Sequence, residues 1–241
     1  MQQYFGVSKN KDTIKLNNND LNHIKNVMRM HEGDNVIVVF DDKSYKCSLN
    51  KDLLSAEVID VFKDNIIDSD FVVYIPLLSE EKMSFILQHG TELGITEFIV
   101  VMYSHCKYKL KKNDFEKKLN RWAKILKEAS EQSYRLHIPK IEKIIEVDNI
   151  EANQNVNILC SLDKSNVKSI SEVLTKDNCS DTISLVFGPE GGLSRIEEDK
   201  LEEKGYVKTS LGNDVLRTET VPLMIASIRK YLKECDNNGK F

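Results

Sequence analysis

The chain has 241 residues, 41% hydrophobic and 30% charged, with 34 Lys and Arg against 38 Asp and Glu for a formal net charge of −4. That length allows one large or two modest domains around a buried core, and the composition is that of a soluble globular protein. The acidic balance excludes nucleic-acid binding through overall basicity, so any RNA contact needs a local basic patch.

The first 69 residues have the pattern of a small, mostly β unit. A helix is expected after Asp20, which is suited to cap it, with Leu21, Ile24, Val27 and Met28 on one face and Gly33 at its end. Three runs of alternating or β-branched residues follow, Asn35–Phe40, Ser44–Leu49 and Ser55–Phe62, separated by the turn segments Asp41-Asp42-Lys43 and Asn50-Lys51-Asp52. Short strands at this spacing favour a small barrel. The polar segment Lys63–Asp70 is the best boundary, dividing the chain into domains 1–69 and 70–241.

Beyond it the pattern alternates between strand and helix. Phe71–Leu78 is continuously apolar, as in a strand buried on both faces. Ser79 and Lys82 open a helix with Met83, Ile86 and Leu87 on one face, running towards Gly94. Glu97–Met102 is a strand, and a longer helix from Asn113 or Asp114 places Leu119, Trp122, Ile125, Leu126 and Ala129 together. Val156–Ser161, Thr182–Phe187 and Tyr206–Leu211 are further strands. A last helix, Val221–Lys233, has Pro222 in its first turn and Met224, Ile228, Tyr231 and Leu232 towards a core. Such alternation defines a parallel α/β sheet covered on both faces.

Ligands of open α/β sheets sit outside the carboxyl ends of the strands, which singles out the loops Leu162–Ser165, Gly188–Ser194 and Gly212–Thr220. In the second loop Gly188, Gly191 and Gly192 permit positive φ and close backbone approach, Pro189 stiffens the turn, and Ser194 with Glu197 fits a capping box. A tight strand–helix connection with no ligand is the alternative. The loop has no lysine and carries Glu190, so a phosphate is disfavoured and a neutral or cationic ligand fits better. In the third loop Gly212 permits a sharp turn, and Arg217 offers a permanently charged planar fork unless it is spent on an ion pair with Glu219.

Five scattered cysteines (Cys47, Cys106, Cys160, Cys179, Cys235) show no metal-binding spacing, so no metal is expected and a reducing compartment is. With no signal-peptide layout at the N-terminus and only strand-sized apolar runs, a cytoplasmic protein without a membrane partner is expected.

The segments Gly188–Ser194 (GPEGGLS) and Leu211–Thr220 (LGNDVLRTET) resemble the paired signature of the RsmE-type family, the small-subunit rRNA uridine-N3 methyltransferases of the SPOUT superfamily. The resemblance extends over nearly the whole chain. His23, Val27-Met28-Arg29 and Gly33-Asp34 are similar to the family's H…V-L-R…G-D, Thr91–Gly94 to its T-E-L-G, and Glu131-Gln132-Ser133 with Arg135 to its E-Q-S-G-R. The sequence departs from the family at Asn213-Asp214, at Gln2-Gln3, at His89-Gly90 and at Tyr134. These changes fall on RNA-facing positions more than on the donor pocket.

The resemblance implies an N-terminal PUA-like β-barrel and a C-terminal SPOUT α/β domain with a trefoil knot, where connection rules alone predict an unknotted doubly wound sheet. It implies S-adenosylmethionine as methyl donor, small-subunit 16S rRNA as substrate, and a homodimer. Carried over residue by residue, the family's residues fall on Gly188, Glu190, Gly191, Gly192, Leu211, Gly212, Leu216, Arg217, Thr218 and Glu219. With Leu162 of the first strand-end loop added, all but Glu219 are expected to bind the donor, and Arg217 and Glu219 to serve catalysis. Arg217 is expected to stabilise charge on the uracil carbonyl oxygens. Glu219 is expected either to take the N3 proton or to hold Arg217. Between His105 and Glu128, nine Lys and Arg stand against three acids, a local charge of +6 with His neutral. This run supplies Lys107, Lys111, Lys112 and Arg121 as RNA contacts, with Arg29 and Arg135 elsewhere; the alternative is a solvated helix face. Two other functions stay open: the same chemistry on another RNA such as a tRNA, and a non-catalytic RNA-binding relative.

Overall fold

The computed structural model describes the chain apart from residues 64–68, 110–111, 153, 164 and 237–241, and describes the main chain alone at 112, 113, 235 and 236. The expected boundary at Lys63–Asp70 therefore falls largely outside the described residues, as does Lys111, together with the side chains of Lys112 and Cys235. The residues divide into two compact units, Met1–Ile67 with Ser130–Ile138, and Asp68–Ala129 with Pro139–Phe241.

The first unit is a closed five-stranded barrel: β1 (Gln3–Asn10), β2 (Thr13–Leu16), β3 (Asn35–Phe40), β4 (Lys43–Leu49) and β5 (Ser55–Lys63), in the order β1-β2-β5-β4-β3. Parallel pairing of β1 with β3 closes it, leaving no free edge. The three predicted strands are present. Asp41 and Asp42, both at positive φ, make the tight two-residue turn that sets Phe40 opposite Lys43. Inward residues Tyr4, Ile14, Leu16, Val36, Val38, Cys47 and Leu49 fill the interior.

Two features of this unit differ from expectation. The β1–β2 hairpin was not predicted, because its outward positions carry Ser8, Lys9, Asn10 and Lys15, which mask the alternation. The predicted helix after Asp20 is only a 3₁₀ turn at Asn18–Asp20, capped by Asn17, and one π-helical turn at His23–Val27. Ile24 alone of the proposed face enters the core; Val27 and Met28 are exposed. Ile24 packs into the barrel's own apolar cluster, so the segment contributes one core residue rather than a helical stripe.

The second unit is a seven-stranded sheet in which every pairing is parallel. Its elements are β6 (Phe71–Pro76), α1 (Glu80–Glu92), β7 (Glu97–Met102), α2 (Lys112–Gln132), β8 (Ile144–Glu146), β9 (Val156–Cys160), β10 (Lys168–Ser169), α3 (Ile170–Val173), β11 (Ile183–Phe187), α4 (Arg195–Glu203), β12 (Val207–Ser210) and α5 (Val221–Asp236). The order is β10-β12-β9-β11-β6-β7-β8. Phe71, Val73 and Ile75 face one core and Val72 and Tyr74 the other, so the continuous apolar run is buried on both sides. The helix α1 is capped by Ser79, as expected, and buries Met83, Ile86 and Leu87.

The face of α5 is corrected. Ile225, Ala226 and Arg229 are buried, while the predicted core residue Tyr231 is exposed and Ile228 and Leu232 pack at the margin. The cause is Arg229, whose guanidinium donates to the carbonyls of Ser69, Cys179 and Asp181 and lies 5.2 Å from the Phe71 ring centroid. A buried cation satisfied by backbone carbonyls turns the helix by about one residue relative to the apolar pattern.

Candidate active site

The carboxyl ends of β9, β11 and β12 deliver three loops around a cavity of about 930 Å³. All ten proposed donor-site residues line it: Leu162 from the first loop, Gly188, Glu190, Gly191 and Gly192 from the second, and Leu211, Gly212, Leu216, Arg217 and Thr218 from the third. The size is that of a small-molecule site.

The glycines of the second loop act differently from one another. Gly192 alone sits at positive φ (+72°), where an L side chain is strained. Gly188 is required for space, since a Cβ there would lie 2.8 Å from the Leu193 nitrogen and 2.9 Å from the Gly192 carbonyl carbon. Gly191 is pressed against His105, with a Cβ reaching 3.0 Å from His105 Cβ. The loop therefore presents bare backbone to the cavity while being wedged from behind.

Its far end is anchored as expected. Ser194 Oγ accepts from the Glu197 amide, and Glu197 accepts from the Ser194 amide at 2.8 Å. The same carboxylate takes the Ser104 amide at 2.7 Å and the Ser104 hydroxyl at 3.1 Å, tying α4 to the segment after β7. Burial works to raise the Glu197 pKa, but these donors outweigh it and hold the carboxyl below its ordinary value.

Cations and carboxylates meet at the cavity in two clusters. In one, Lys82 Nζ lies 2.9 Å from Glu190 Oε1 and 3.1 Å from Glu219 Oε2. The alternative pairing of Arg217 with Glu219 is thus not the one formed: Glu219 is taken by Lys82, and among the described residues the exposed Arg217 guanidinium has no ion-pair or hydrogen-bond partner. In the other, Lys208, nearly buried on β12, faces Glu202 at 3.2 Å, Asp163 at 3.3 Å and Glu198 at 3.4 Å. Glu198 also accepts from Ser161 at 2.6 Å, so both clusters brace loop residues that border the cavity. Asp163 is held down to about 2, first by hydrogen bonds from Ser165 and then by Lys208. Cys160 at the end of β9 is pushed up to about 12 by burial and forms a neutral wall.

Lys82, Asp163, Glu198 and Lys208 were not singled out by sequence. Lys82 follows the carboxyl end of β6, so the rule that pointed at the other three loops points at it as well. Of the other three, Asp163 lies more than thirty residues from Glu198 and Lys208 in sequence and meets them only through the sheet.

The proposed RNA contacts are spread. Lys107 and Lys109 are exposed beside the cavity loop segment at His105, and Lys107 acts electrostatically on Glu190. Arg121 on α2 is exposed but pairs with Glu80 at 3.4 Å, as does Lys118 at 2.6 Å. Lys124 lies 3.6 Å from Glu128. Part of the +6 run is thus neutralised locally. Arg29, exposed and at positive φ, and the half-buried Arg135 belong to the barrel unit. Among the described residues there is no metal-binding cluster, and no helix is long and apolar enough to cross a membrane.

The closed barrel and the parallel sheet with a loop pocket at its strand ends coincide with the two domain models that define the chain as an RNA methyltransferase. The RNA methyltransferase domain model matches residues 67–230, and the RNA methyltransferase PUA domain model matches residues 16–59. The ribosomal RNA small subunit methyltransferase E of Bacillus subtilis (strain 168) is 34% identical, over 97% of this chain and 98% of its own. That of Mesomycoplasma hyopneumoniae (strain 232) is 31% identical, over 97% and 100%. The crystal structure of the Neisseria gonorrhoeae protein of the same name, bound to S-adenosyl methionine, superposes with a TM-score of 0.80 at 26% identity, covering 96% of this chain and 98% of that one. The chain belongs to the ribosomal RNA small subunit methyltransferase E family.

Proposed function

We propose that this protein transfers a methyl group from S-adenosylmethionine to N3 of a uridine in small-subunit ribosomal RNA. The observation that carries the proposal is the pairing of a cradle built on Gly188, Gly191 and Gly192 with an Arg217 guanidinium that has no partner among the described residues. The cavity residues fit the donor. Its volume is ample for a nucleoside with an amino-acid tail, the Gly188 and Gly191 positions leave room that a side chain would fill, and Asp163, Glu190 and Glu198 suit a cationic ligand.

When bound, the donor supplies an electrophilic methyl group on a sulfonium. The N3–methyl bond then forms as the sulfur–methyl bond breaks, and the N3 proton is lost. Holding the two partners in line is the largest task left to the protein. Leu162, Leu211 and Leu216 offer apolar contacts to a base, and the glycine backbone offers amides and carbonyls. Arg217 places fixed positive charge where negative charge grows on the uracil carbonyl oxygens. Glu219, two residues from Arg217 and paired with Lys82, is not holding Arg217 in this structure, which leaves it the proton-accepting role. The residues Arg29, Lys107, Lys111, Lys112, Arg121 and Arg135 contribute phosphate contacts, with domain 1–69 as an RNA-binding module and domain 70–241 as the methyltransferase.

The trefoil knot, a homodimer and a cytoplasmic setting belong to the same reading. The knot is supported by the sheet order, in which β11 inserts between β9 and β6 before the chain crosses to β12 on the far side of β9. The test of function is mass spectrometry of small-subunit rRNA from cells with and without the gene, with methylation of isolated small subunits by the purified protein. Loss of one uridine-N3 methyl mark and its restoration in vitro are expected. Persistence of the mark without the gene overturns the reading.

A further inference from the structure

We propose that Lys82 is a positioning residue that clamps the two main cavity loops together and, by occupying Glu219, keeps Arg217 available to substrate. The consequence for turnover rests on the functional reading above; the clamp itself does not.

Lys82 is well placed for this. It lies in the first turn of α1, where its amide faces the cap Ser79, and the helix behind it is fixed by fully buried Met83, Ile86 and Leu87. Its position is therefore set by the core rather than by the loops. From there one ammonium reaches Glu190 of the loop after β11 and Glu219 of the loop after β12, at 2.9 and 3.1 Å. The three side chains are 27%, 25% and 14% exposed, shielded enough that the contacts are not simply surface pairs.

Without the cation, the two carboxylate oxygens would stand no more than 6.0 Å apart, the sum of their two distances to Nζ. Like charges at that spacing push the loops apart. Glu219 would also be released two residues from Arg217, the nearest permanent cation on its own loop. Pairing between them would withdraw the guanidinium from the cavity. Thr218, between the two, already donates its hydroxyl to Gly188 across the same junction, so Lys82 closes the outer side of a seam whose inner side is a hydrogen bond.

The test uses the full chain with Lys82→Met and Lys82→Arg. Hydrogen exchange of the ligand-free protein is expected to accelerate at least tenfold for amides within 188–194 and 212–220 in Lys82→Met, and to return towards wild type in Lys82→Arg. In steady-state assays Lys82→Met is expected to lower kcat for small-subunit methylation as well as to weaken S-adenosylmethionine binding measured by calorimetry. Adding Glu219→Gln to Lys82→Met should return exchange in 212–220 part of the way to wild type, because the loops then no longer face each other with two carboxylates. Unchanged exchange in both loops overturns the proposal, as does acceleration spread evenly over the whole chain. If the wild-type protein methylates no small-subunit RNA, the functional reading fails, while the exchange result still decides the clamp.

Discussion

Thr218 donates its hydroxyl to the carbonyl of Gly188, joining the third cavity loop to the first residue of the second. Thr218 is buried, so the bond is shielded from water. The isosteric change Thr218→Val removes the donor and leaves a carbonyl without its partner, a loss of about 1–3 kcal/mol. Part of that appears in ligand binding, because the bond fixes the distance between two walls of the cavity. About tenfold weaker S-adenosylmethionine binding by calorimetry is expected, with a small fall in Tm. Equal affinity would mean that the loops are held by other contacts alone.

The three loops were legible in the sequence because each follows a strand end, which is where α/β ligands sit, and because two of them carry glycines. Glu97–Met102 and Asn35–Phe40 were legible for a related reason: β-branched and aromatic runs between polar turns leave few alternatives. What stayed hidden was long-range and polar. Lys82 finds Glu190 108 residues later, and no local pattern marks a lysine in a first helical turn as one that will bridge two loops. Arg229 set the face of α5 from within an apolar pattern that pointed elsewhere, since its partners are carbonyls, and carbonyls have no letter in a sequence. The same holds for Gly188 and Gly191, where the residue type was visible but its cause, crowding by Leu193 and His105 rather than an unusual φ, was not. Tyr134 is the reverse case: standing where the resembling pattern has glycine, it sits at φ +57°, a conformation that glycine adopts without strain.

Arg217→Ala separates charge stabilisation from donor binding. If its fork acts on the uracil oxygens, single-turnover methylation should slow by roughly 10²–10³. Donor affinity should change far less, since backbone groups and leucines supply most of the cavity wall. Arg217→Lys keeps the charge but loses the planar fork, and should recover only part of the rate. Near-normal turnover in Arg217→Ala would remove the residue from the chemistry.

The basic run is best probed at Lys107 and Lys109, which are exposed and among the described residues form no ion pair, Lys107 acting on Glu190 only through its charge, whereas Lys118, Arg121 and Lys124 are paired with acids. Reversing both to Glu should weaken rRNA binding and make log K against log salt shallower by about two, as two phosphate contacts are lost. An unchanged slope would show that the run is a solvated face and that RNA is held elsewhere.

Acid should loosen the cavity before it unfolds the protein. Burial pushes the Glu190 carboxyl up, but the hydrogen bond and charge of Lys82, a backbone hydrogen bond and the charge of Lys107 together outweigh it, and the folded value lies below the ordinary 4.5. Asp163, held by Ser165, lies at about 2 against an ordinary 3.8. For both acids the unfolded chain binds the proton more readily, so the stabilisation is present above the unfolded values and is lost as pH falls through the folded ones. Lys82 is shifted the other way, above 10.5, chiefly by Glu190; its contribution is complete below 10.5 and disappears only as pH rises through the higher folded value. Between these limits the Lys82–Glu190 pair is indifferent to pH. The Tm difference between wild type and Glu190→Gln is therefore expected to be constant from neutrality down to the ordinary carboxylate value of 4.5 and to close below it. A difference that instead changes between pH about 6 and 8 would show that the Lys82–Glu190 pair is not what holds the loop.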